Sequence, residues 1–546
     1  MISQIGFISL FLGLSFSLLI FLFSLLDVNN NSVRIDKKIP KLIFFQFCSV
    51  IFAFSFLIFA FLVSDFSNET VYNNSHSTKP LFYKITGVWG NHEGSLLLWL
   101  LVLTSFVLFF AIKSKNEPKN FRLHTILFHQ IITIGFFIFV LKTSSPFNLI
   151  FPVPSEGLGL NPILQDPALG IHPPILYVGY VGTSIVFASA LSAMINGYVN
   201  NEWAKNLKFW TFLSWIFLTG GILLGSIWAY YELGWGGFWF WDPVENISLM
   251  PWLSLTALLH CVVTLEKRNI LKNWTIILSL ITFMLSITGT FLVRSGILNS
   301  VHTFANDPTR GIYILIFLFV LIFISFIIFF LFENKNPEIR KEIFLLSKET
   351  SVLINNWFII YFLTVILVGT IYPIFLDVIS SEKISVGPPF YNKLILPFLL
   401  PFFLFMSIGP SMQWIKTNFK FKIKYIFYLF LTLAASLITV IFLNEKNILL
   451  YILFLALFYL AFKSLENFVI KKSNLAQSFS HLGFAMLMIS ILVNSFSSTE
   501  VIKNLNVGES FNLNNEKIFF KNVKTVKKNN YDSIQGLFEI TNNKNE

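Results

Sequence analysis

The chain has 546 residues, of which 55% are hydrophobic and only 12% are charged. Because soluble globular domains contain about 25% charged residues, this composition excludes a soluble protein and indicates one that crosses a membrane many times. The formal net charge is +11, which would suggest nucleic acid as a partner of a soluble protein. In a membrane protein basic residues mark topology, so we expect no nucleic-acid partner.

Apolar runs long enough to cross the bilayer, about 17 to 25 residues each, occur fourteen times between residues 4 and 496. The sequence therefore predicts an all-α polytopic membrane protein with about 14 transmembrane helices, whose membrane domain comprises residues 1–496. The first run lacks a basic leading region and a small-residue cleavage site, so we expect a retained helix and not a signal peptide.

Residues 497–546 are polar and contain short alternating apolar stretches at 517–520 and 536–540. This pattern predicts a small β-rich extracytoplasmic C-terminal segment built from hairpins. A segment of this size is too small to bury a core of its own. We therefore expect it to pack on the membrane domain or to be an incomplete domain.

The loops between the predicted helices divide into two alternating sets, which hold 24 and 8 Lys and Arg residues. Cytoplasmic loops are the ones enriched in basic residues. The N-terminus, and every loop on its side of the membrane, is therefore predicted to lie outside the cytoplasm.

One of these outer loops, at about residues 228–252, carries five tryptophans together with glycines and carboxylates. So much flat aromatic surface, with glycines that let the backbone come close, is typical of a site for a large planar ligand. The alternative is an aromatic anchor at the membrane interface. We predict a platform formed by Trp235, Trp239 and Trp241 with Asp242. We expect Asp242 and Glu245 to bind backbone amides and not to act as acid–base groups.

Two histidines lie within predicted membrane helices, where titratable side chains are rare and usually functional. His260 lies about six residues before the cytoplasmic end of its helix, and His481 lies about five residues after the cytoplasmic start of the last helix. At ~1.5 Å per residue the two depths match, which suits axial ligation of one membrane-embedded haem. The alternative is two unrelated histidines that pack locally.

Two further histidines, His172 and His302, lie in predicted outer loops on either side of the tryptophan-rich loop. Prolines around His172 restrict its backbone and favour a fixed ring direction. One ring from each side of an aromatic platform would hold a haem iron from both faces, although a lone loop histidine is usually just solvated. His92 starts a predicted helix, where Glu93 and Ser95 suit the N-terminal position, so a structural role is expected.

The residues that carry these features resemble a known family. The stretch 235–246 is similar to the WWD signature of haem-handling proteins. The stretches 89–99, 160–174, 294–311 and 386–390 resemble the CcmF family, the haem lyase subunit of the bacterial system I cytochrome c maturation pathway. The resemblance extends over nearly the whole chain.

This resemblance implies an activity at the periplasmic face of the bacterial inner membrane. The family takes haem from the haem chaperone CcmE and joins its vinyl groups to the CxxCH cysteines of apocytochrome c, which CcmH/CcmI present. His172 and His302 would hold the substrate haem, whereas His260 and His481 would ligate a resident haem b. The resident haem would pass electrons from quinol to keep the substrate iron ferrous.

Two arginines, Arg294 and Arg310, lie in the same predicted outer loop as His302. They suit pairing with haem propionates, or they extend from helix ends to the interface. The chain departs from the family pattern after the last predicted helix, because the family closes with a larger outer domain and one further helix. This departure affects what the resemblance implies for the contacts of residues 497–546.

Three alternative functions share part of the pattern. A haem exporter shares the many helices but does not need the aromatic platform. A quinol-oxidising cytochrome b subunit shares the membrane histidines but leaves His172 and His302 without a role. A paralogue dedicated to one c-type cytochrome, such as nitrite reductase, shares every feature.

Overall fold

The computed structural model describes residues 1–30, 37–233, 239–295, 308–338, 341–380, 384–418, 423–469, 475–499, 501–514, 516–528 and 530–542. Within these ranges the first eight helices are α1 Ile2–Asn30, α2 Ile39–Leu62, α3 Glu69–Asn74, α4 Leu81–Thr86, α5 His92–Lys113, α6 Lys119–Thr143, α7 Pro167–Ile195 and α8 Asn201–Glu232. The next eight are α9 Pro243–Arg268, α10 Lys272–Arg294, α11 Pro308–Phe332, α12 Lys348–Ser380, α13 Pro388–Ile408, α14 Lys424–Phe442, α15 Ile448–Val469 and α16 Leu475–Ser497.

Thirteen of the helices in the described ranges are long and apolar enough to cross a membrane, and a shorter apolar helix, Ile426–Phe442, lies within α14. The predicted polytopic membrane protein with about 14 helices is therefore confirmed. The C-terminal residues form an antiparallel sheet in the order β1 Ser510–Leu513, β2 Glu516–Lys527 and β3 Asp532–Asn542. Both predicted alternating stretches lie in these strands.

α7 lies at the centre of the N-terminal two-thirds of the bundle. Every residue from Gly179 to Met194 is buried, and the helix packs against α5, α6, α8 and α10. Its contact with α8 is very close, because a side chain at Gly179 would collide with the backbone of Leu218. In lipid, small residues allow helices to approach and gain dispersion contacts. The close contact at Gly179 holds α7 and α8 together as one unit.

α9 connects this unit to the remaining helices, since it packs on α8, α10 and α12. Beyond it, α12 packs on α13, α13 on α15, and α15 on both α14 and α16. We call the end of the bundle at which α8 ends and α9 begins the outer end, after its predicted orientation. The opposite end is the inner end.

The C-terminal sheet contacts the outer end of the bundle through the turn between β2 and β3. Nδ2 of Asn530 lies 2.7 Å from Oε1 of Gln165, one residue before the N-cap of α7. This hydrogen bond agrees with the prediction that the segment packs on the membrane domain.

Lys79 is a buried lysine in the segment between α2 and α5, outside the membrane spans. Its side chain is 3% exposed and its Nζ donates to the carbonyl of Asn74 at 2.9 Å. Burial, followed by the charge of Lys84, lowers the pKa of Lys79 from 10.5 to about 7. Between these values the unfolded chain holds a proton that the folded protein has released, so stability rises with pH.

We expect the free energy of unfolding to increase between pH 7 and 10, with this group adding up to about 1.4 kcal/mol per pH unit. Thermal unfolding of the purified protein across that range measures the effect. Lys79→Met should reduce the slope by this contribution, whereas Lys142→Met, at an exposed position, should leave it unchanged. Equal slopes in the two variants would show that Lys79 remains charged in the folded state.

Candidate functional site

The tryptophan-rich connection is shorter than predicted. α8 continues to Glu232 and α9 begins at Pro243, so the predicted loop at about 228–252 is wrong in its bounds, and Trp228 and Trp252 lie in helices. The hydropathy of the sequence identifies only the apolar part of α9. The helix starts earlier, in a polar stretch, because an aspartate N-cap is followed by a proline at the first helical position. Trp235 lies outside the described residues.

Both carboxylates next to the tryptophans accept hydrogen bonds from backbone amides, as predicted. Asp242 caps α9, with its Oδ2 2.9 Å from the amide nitrogen of Val244. Oε2 of Glu245 lies 3.1 Å from the amide nitrogen of Phe240. These two bonds fix the chain on either side of Trp241.

Trp241 is held in place by a residue that the sequence prediction missed. Its ring stacks on the buried Tyr391 of α13, with centroids 4.2 Å apart and planes 8° apart. Nδ2 of Asn246 donates both to the Trp241 carbonyl at 3.1 Å and to the Tyr391 hydroxyl at 3.0 Å. Trp241 has φ +60°, a strained conformation for a bulky residue. The stretch 386–390, which carries part of the family resemblance, ends one residue before Tyr391.

Trp239 stands perpendicular to Trp241, with ring centroids 6.4 Å apart. Its Nε1 is buried, and no acceptor among the described residues pairs with it. Buried indole N–H groups normally have a partner. This donor is therefore suited to a polar atom of a ligand.

His172 lies in the second turn of α7 and not in a loop, which corrects the prediction. Asp166 caps the helix through the amides of Ala168 and Leu169, and Pro167 occupies its first position. Pro174 has no N–H for the carbonyl of Gly170 four residues earlier. Nε1 of Trp89 donates to that carbonyl instead, at 3.0 Å. The helix therefore continues through the proline pair.

The ring of His172 is fixed by α8. Its Nδ1 lies 2.7 Å from the carbonyl oxygen of Gly221. A carbonyl only accepts, so Nδ1 carries the proton and Nε2 carries the lone pair that binds a metal. The ring also lies against Gly225, where a Cβ would come within 2.6 Å of Cε1 of His172. His302, its predicted counterpart, lies outside the described residues.

Arg294 and Arg310 also lie in helices rather than in a loop, which corrects their predicted location. Arg294, the last residue of α10, is 4% exposed and donates to Ser95 Oγ at 2.9 Å and Tyr177 Oη at 2.8 Å. Arg310 of α11 pairs with Glu93 at 3.2 Å. Extension of Arg294 to the interface is therefore wrong, because its guanidinium is buried in protein.

His92 is part of the same buried cluster, in agreement with its expected structural role. Its Nδ1 lies 3.2 Å from Nη1 of Arg294, and its Nε2 lies 2.8 Å from Oγ of Ser144. A guanidinium only donates, so Nδ1 accepts and the ring proton is on Nε2. The N-cap of α5 is Asn91, whose Oδ1 accepts from Gly94 at 2.8 Å, and not one of the residues singled out in the sequence.

The two membrane histidines lie at similar depths from the inner end. His260 is eight residues before the end of α9 and His481 is six residues after the start of α16, about 12 Å and 9 Å at ~1.5 Å per residue. Both residues are half-buried. Nδ1 of His260 lies 2.7 Å from the carbonyl of Thr256, which leaves the lone pair on Nε2.

This pair of rings fits haem better than a bare metal ion. The described part of the chain contains no group of three or more His, Cys, Asp or Glu side chains arranged to hold a metal. A structural zinc site needs about four protein ligands. A haem iron needs only one or two, because the porphyrin supplies the rest.

Comparison with known proteins gives consistent matches. Residues 89–298 match the family model for cytochrome C assembly proteins. The chain is 38% identical to the cytochrome c-type biogenesis protein CcmF of Haemophilus influenzae, over 99% of this chain and 86% of that protein. It is 49% identical to the cytochrome c-type biogenesis protein CycK of Rhizobium meliloti, over 63% of this chain, and spans about half (51%) of that relative.

A solved structure of the cytochrome c heme lyase CcmF has a similar fold. It matches 99% of this chain and 85% of its own chain, with a TM-score of 0.80 and 25% sequence identity. The region matched by the family model contains His172, Trp239, Trp241 and His260, and it ends before His302.

Proposed function

Because the chain belongs to the CcmF family of cytochrome c-type biogenesis proteins, we propose that it attaches haem covalently to apocytochrome c. It takes haem from the chaperone CcmE and receives the unfolded apocytochrome from CcmH/CcmI. Each thiol of the CxxCH motif adds across a haem vinyl group: the S–H bond and the π bond of the vinyl group break, and one C–S and one C–H bond form. The reaction takes place at the periplasmic face of the bacterial inner membrane.

The observation that carries this proposal is the fixed ring of His172. Its Nε2 bears the lone pair, and its neighbour Gly225 lies seven residues before the end of α8 at Glu232, about 10 Å along the axis. A haem held by this ring lies close to the tryptophan-rich connection. Axial ligation by His172 and His302 fixes the direction of the vinyl edge and makes the encounter with a thiol a local one.

The tryptophans provide the platform for the substrate haem. Trp235, Trp239 and Trp241 offer flat apolar surface, and Nε1 of Trp239 supplies a donor for a polar atom of the ligand. Asp242 contributes by capping α9 rather than by proton transfer. Arg294 and Arg310 place two guanidinium groups at the outer end of the bundle, and guanidinium groups suit haem propionates.

His260 and His481 would hold a resident haem b, which would supply electrons from quinol to keep the substrate iron ferrous. The chain holds the two imidazoles at matching depth and directs Nε2 of His260 away from its own backbone. Absorption spectra of the purified protein test for the resident haem. Haem staining of c-type cytochromes in a strain that lacks its own CcmF tests for covalent attachment. The unaltered protein, expressed with its partner subunits, should restore stained cytochromes.

A substitution beside His172 tests the role of its ring without removing it. We expect Gly225→Ala to reduce cytochrome c formation roughly 10- to 100-fold, the range for disturbed support of a metal ligand, because the new methyl group displaces the ring. Gly220→Ala is the matched control, since its nearest contact is 3.7 Å away at Ile175. Haem-stained cytochrome measures the effect. Equal yields from both variants would contradict a fixed His172.

A further inference from the structure

Two connections at the inner end of the bundle are hydrogen-bonded to each other. Residues 341–348 lead into the first turn of α12, and residues 412–418 follow α13. The amides of Thr417 and Lys348 each donate to a carbonyl of the opposite stretch, at 2.7 and 2.9 Å. We call these two stretches the inner loop pair. Because backbone hydrogen bonds join them, they present one defined surface at the ends of the helices.

The inner loop pair exposes large apolar side chains, although its connecting residues lie outside the membrane spans. Leu345 is 80% exposed. Ile343 and Leu346 of the same stretch, and Ile415 of the other stretch, are also exposed. Connecting loops are normally polar, and neighbouring exposed apolar side chains mark a surface that meets a protein or a membrane. This surface therefore has a partner.

Each stretch of the inner loop pair places a lysine over an aromatic ring of the other stretch. Nζ of Lys416 lies 5.4 Å from the centroid of the Phe344 ring, and Nζ of Lys348 lies 5.4 Å from the centroid of the Trp414 ring. Attraction between a cation and an aromatic face holds a lysine in place. The apolar surface is therefore flanked by positive charge.

The sequence continues both features up to the start of α14. Residues 416–424 contain four lysines, and two phenylalanines and an isoleucine alternate with them. Residues 341–349 and 412–424 together contain six lysines and two glutamates, and one of these glutamates, Glu349, binds Arg268 at 2.6 Å. A basic cluster directly beside a membrane helix, on its cytoplasmic side, is typical of binding to anionic lipids.

We propose that the inner loop pair, together with residues 416–424, binds the headgroups of anionic phospholipids in the leaflet at the inner end. Leu345 and its apolar neighbours enter the boundary between headgroups and acyl chains, as the apolar side of an interfacial segment does. The lysines cover apolar surface with their stems and place their ammonium groups at the lipid phosphates. A soluble protein would suit the apolar side chains alone, whereas lysines that alternate with apolar residues at a helix end favour lipid.

Fluorescence quenching by brominated lipids tests this inference in the full-length protein. Leu345→Cys, in a Cys48→Ser background, is labelled with bimane, because the remaining Cys261 is buried. The labelled protein is placed in phosphatidylcholine vesicles that contain equal amounts of either brominated phosphatidylcholine or brominated phosphatidylglycerol. We expect both lipids to quench the label, and the anionic one to quench it more strongly. Asn116→Cys is the matched control, since it is exposed in the polar connection between α5 and α6 at the same end, and its label should not be quenched.

The contribution of charge is tested by replacing Lys416, Lys420 and Lys422 together in the labelled Leu345→Cys protein. Glutamine at these positions should abolish the preference for brominated phosphatidylglycerol, whereas arginine should keep it. Equal quenching by the two lipids while all three lysines are present would overturn the inference, even if the glutamine variant failed to fold. An unquenched label at residue 345 would also overturn it and indicate a soluble protein partner. Disulfide bonds between Leu345→Cys chains would instead indicate contact with a second copy, again against the inference.

Discussion

We expect the replacement of His172 with alanine to abolish covalent attachment of haem to c-type cytochromes, while the protein still inserts into the membrane. The ring donates to the carbonyl of Gly221, and we expect the loss of this contact to affect the helix pair much less than the loss of an iron ligand affects haem binding. The glycine contacts that hold α7 to α8 stay in place. Haem staining after denaturing electrophoresis measures the loss, and immunoblotting of membranes measures the amount of protein.

His76→Ala is the control for this experiment. His76 is also on the outer side, where its Nδ1 contacts the hydroxyl of Thr78 at 2.9 Å, and it has no place in the proposed site. We expect normal cytochrome yields from this variant. Normal yields from His172→Ala as well would show that its ring does not hold the substrate haem.

We expect the replacement of either His260 or His481 with alanine to remove the b-type absorption band that the proposed function predicts for the purified protein. The two rings are on different helices at similar depth, and on the proposed function each would supply one ligand to the iron. Loss of either ring would leave the iron with a single protein ligand, which should weaken haem binding. Spectra of the oxidised and dithionite-reduced protein measure the result.

A third membrane histidine provides the control. His129 of α6 is fully buried and contacts Ser184 at 3.2 Å and Thr133 at 3.3 Å, so His129→Gln should keep the band. His172→Ala should also keep it, because that ring is near the other end of the bundle. Full haem content in both the His260→Ala and His481→Ala variants would disprove the assignment of the resident haem.

The sequence predicted the fold class because long apolar runs and alternating strands are local signals. It misplaced the ends of several helices, since a hydropathy run begins only where the chain becomes apolar. α9 begins at Pro243, inside the stretch predicted to be a loop up to about residue 252. Likewise, the prolines around His172 suggested a loop, whereas the cap at Asp166 and the hydrogen bond from Trp89 extend α7 through them.

The contacts that shape the site had no local signal. Tyr391 stacks on Trp241 across 150 residues of sequence, and Arg294 reaches Ser95 across 199. Residue type identified the tryptophans, histidines and arginines as candidates, because their chemistry is unusual in lipid. Their partners are ordinary serines, tyrosines and asparagines, and only the packing of the helices selects them.

The enclosure of α7 has a consequence for how haem passes through the protein. α7 is buried at every position from Gly179 to Met194, and its glycine contact brings it close to α8. It therefore moves only together with the rest of the bundle. His172 would therefore be, on the proposed function, a ligand with a fixed position. On the proposed function, transfer then proceeds by substitution of ligands at the iron while the protein stays still. The lifetime of the iron–imidazole bond, and not the motion of a helix, would set the pace of release.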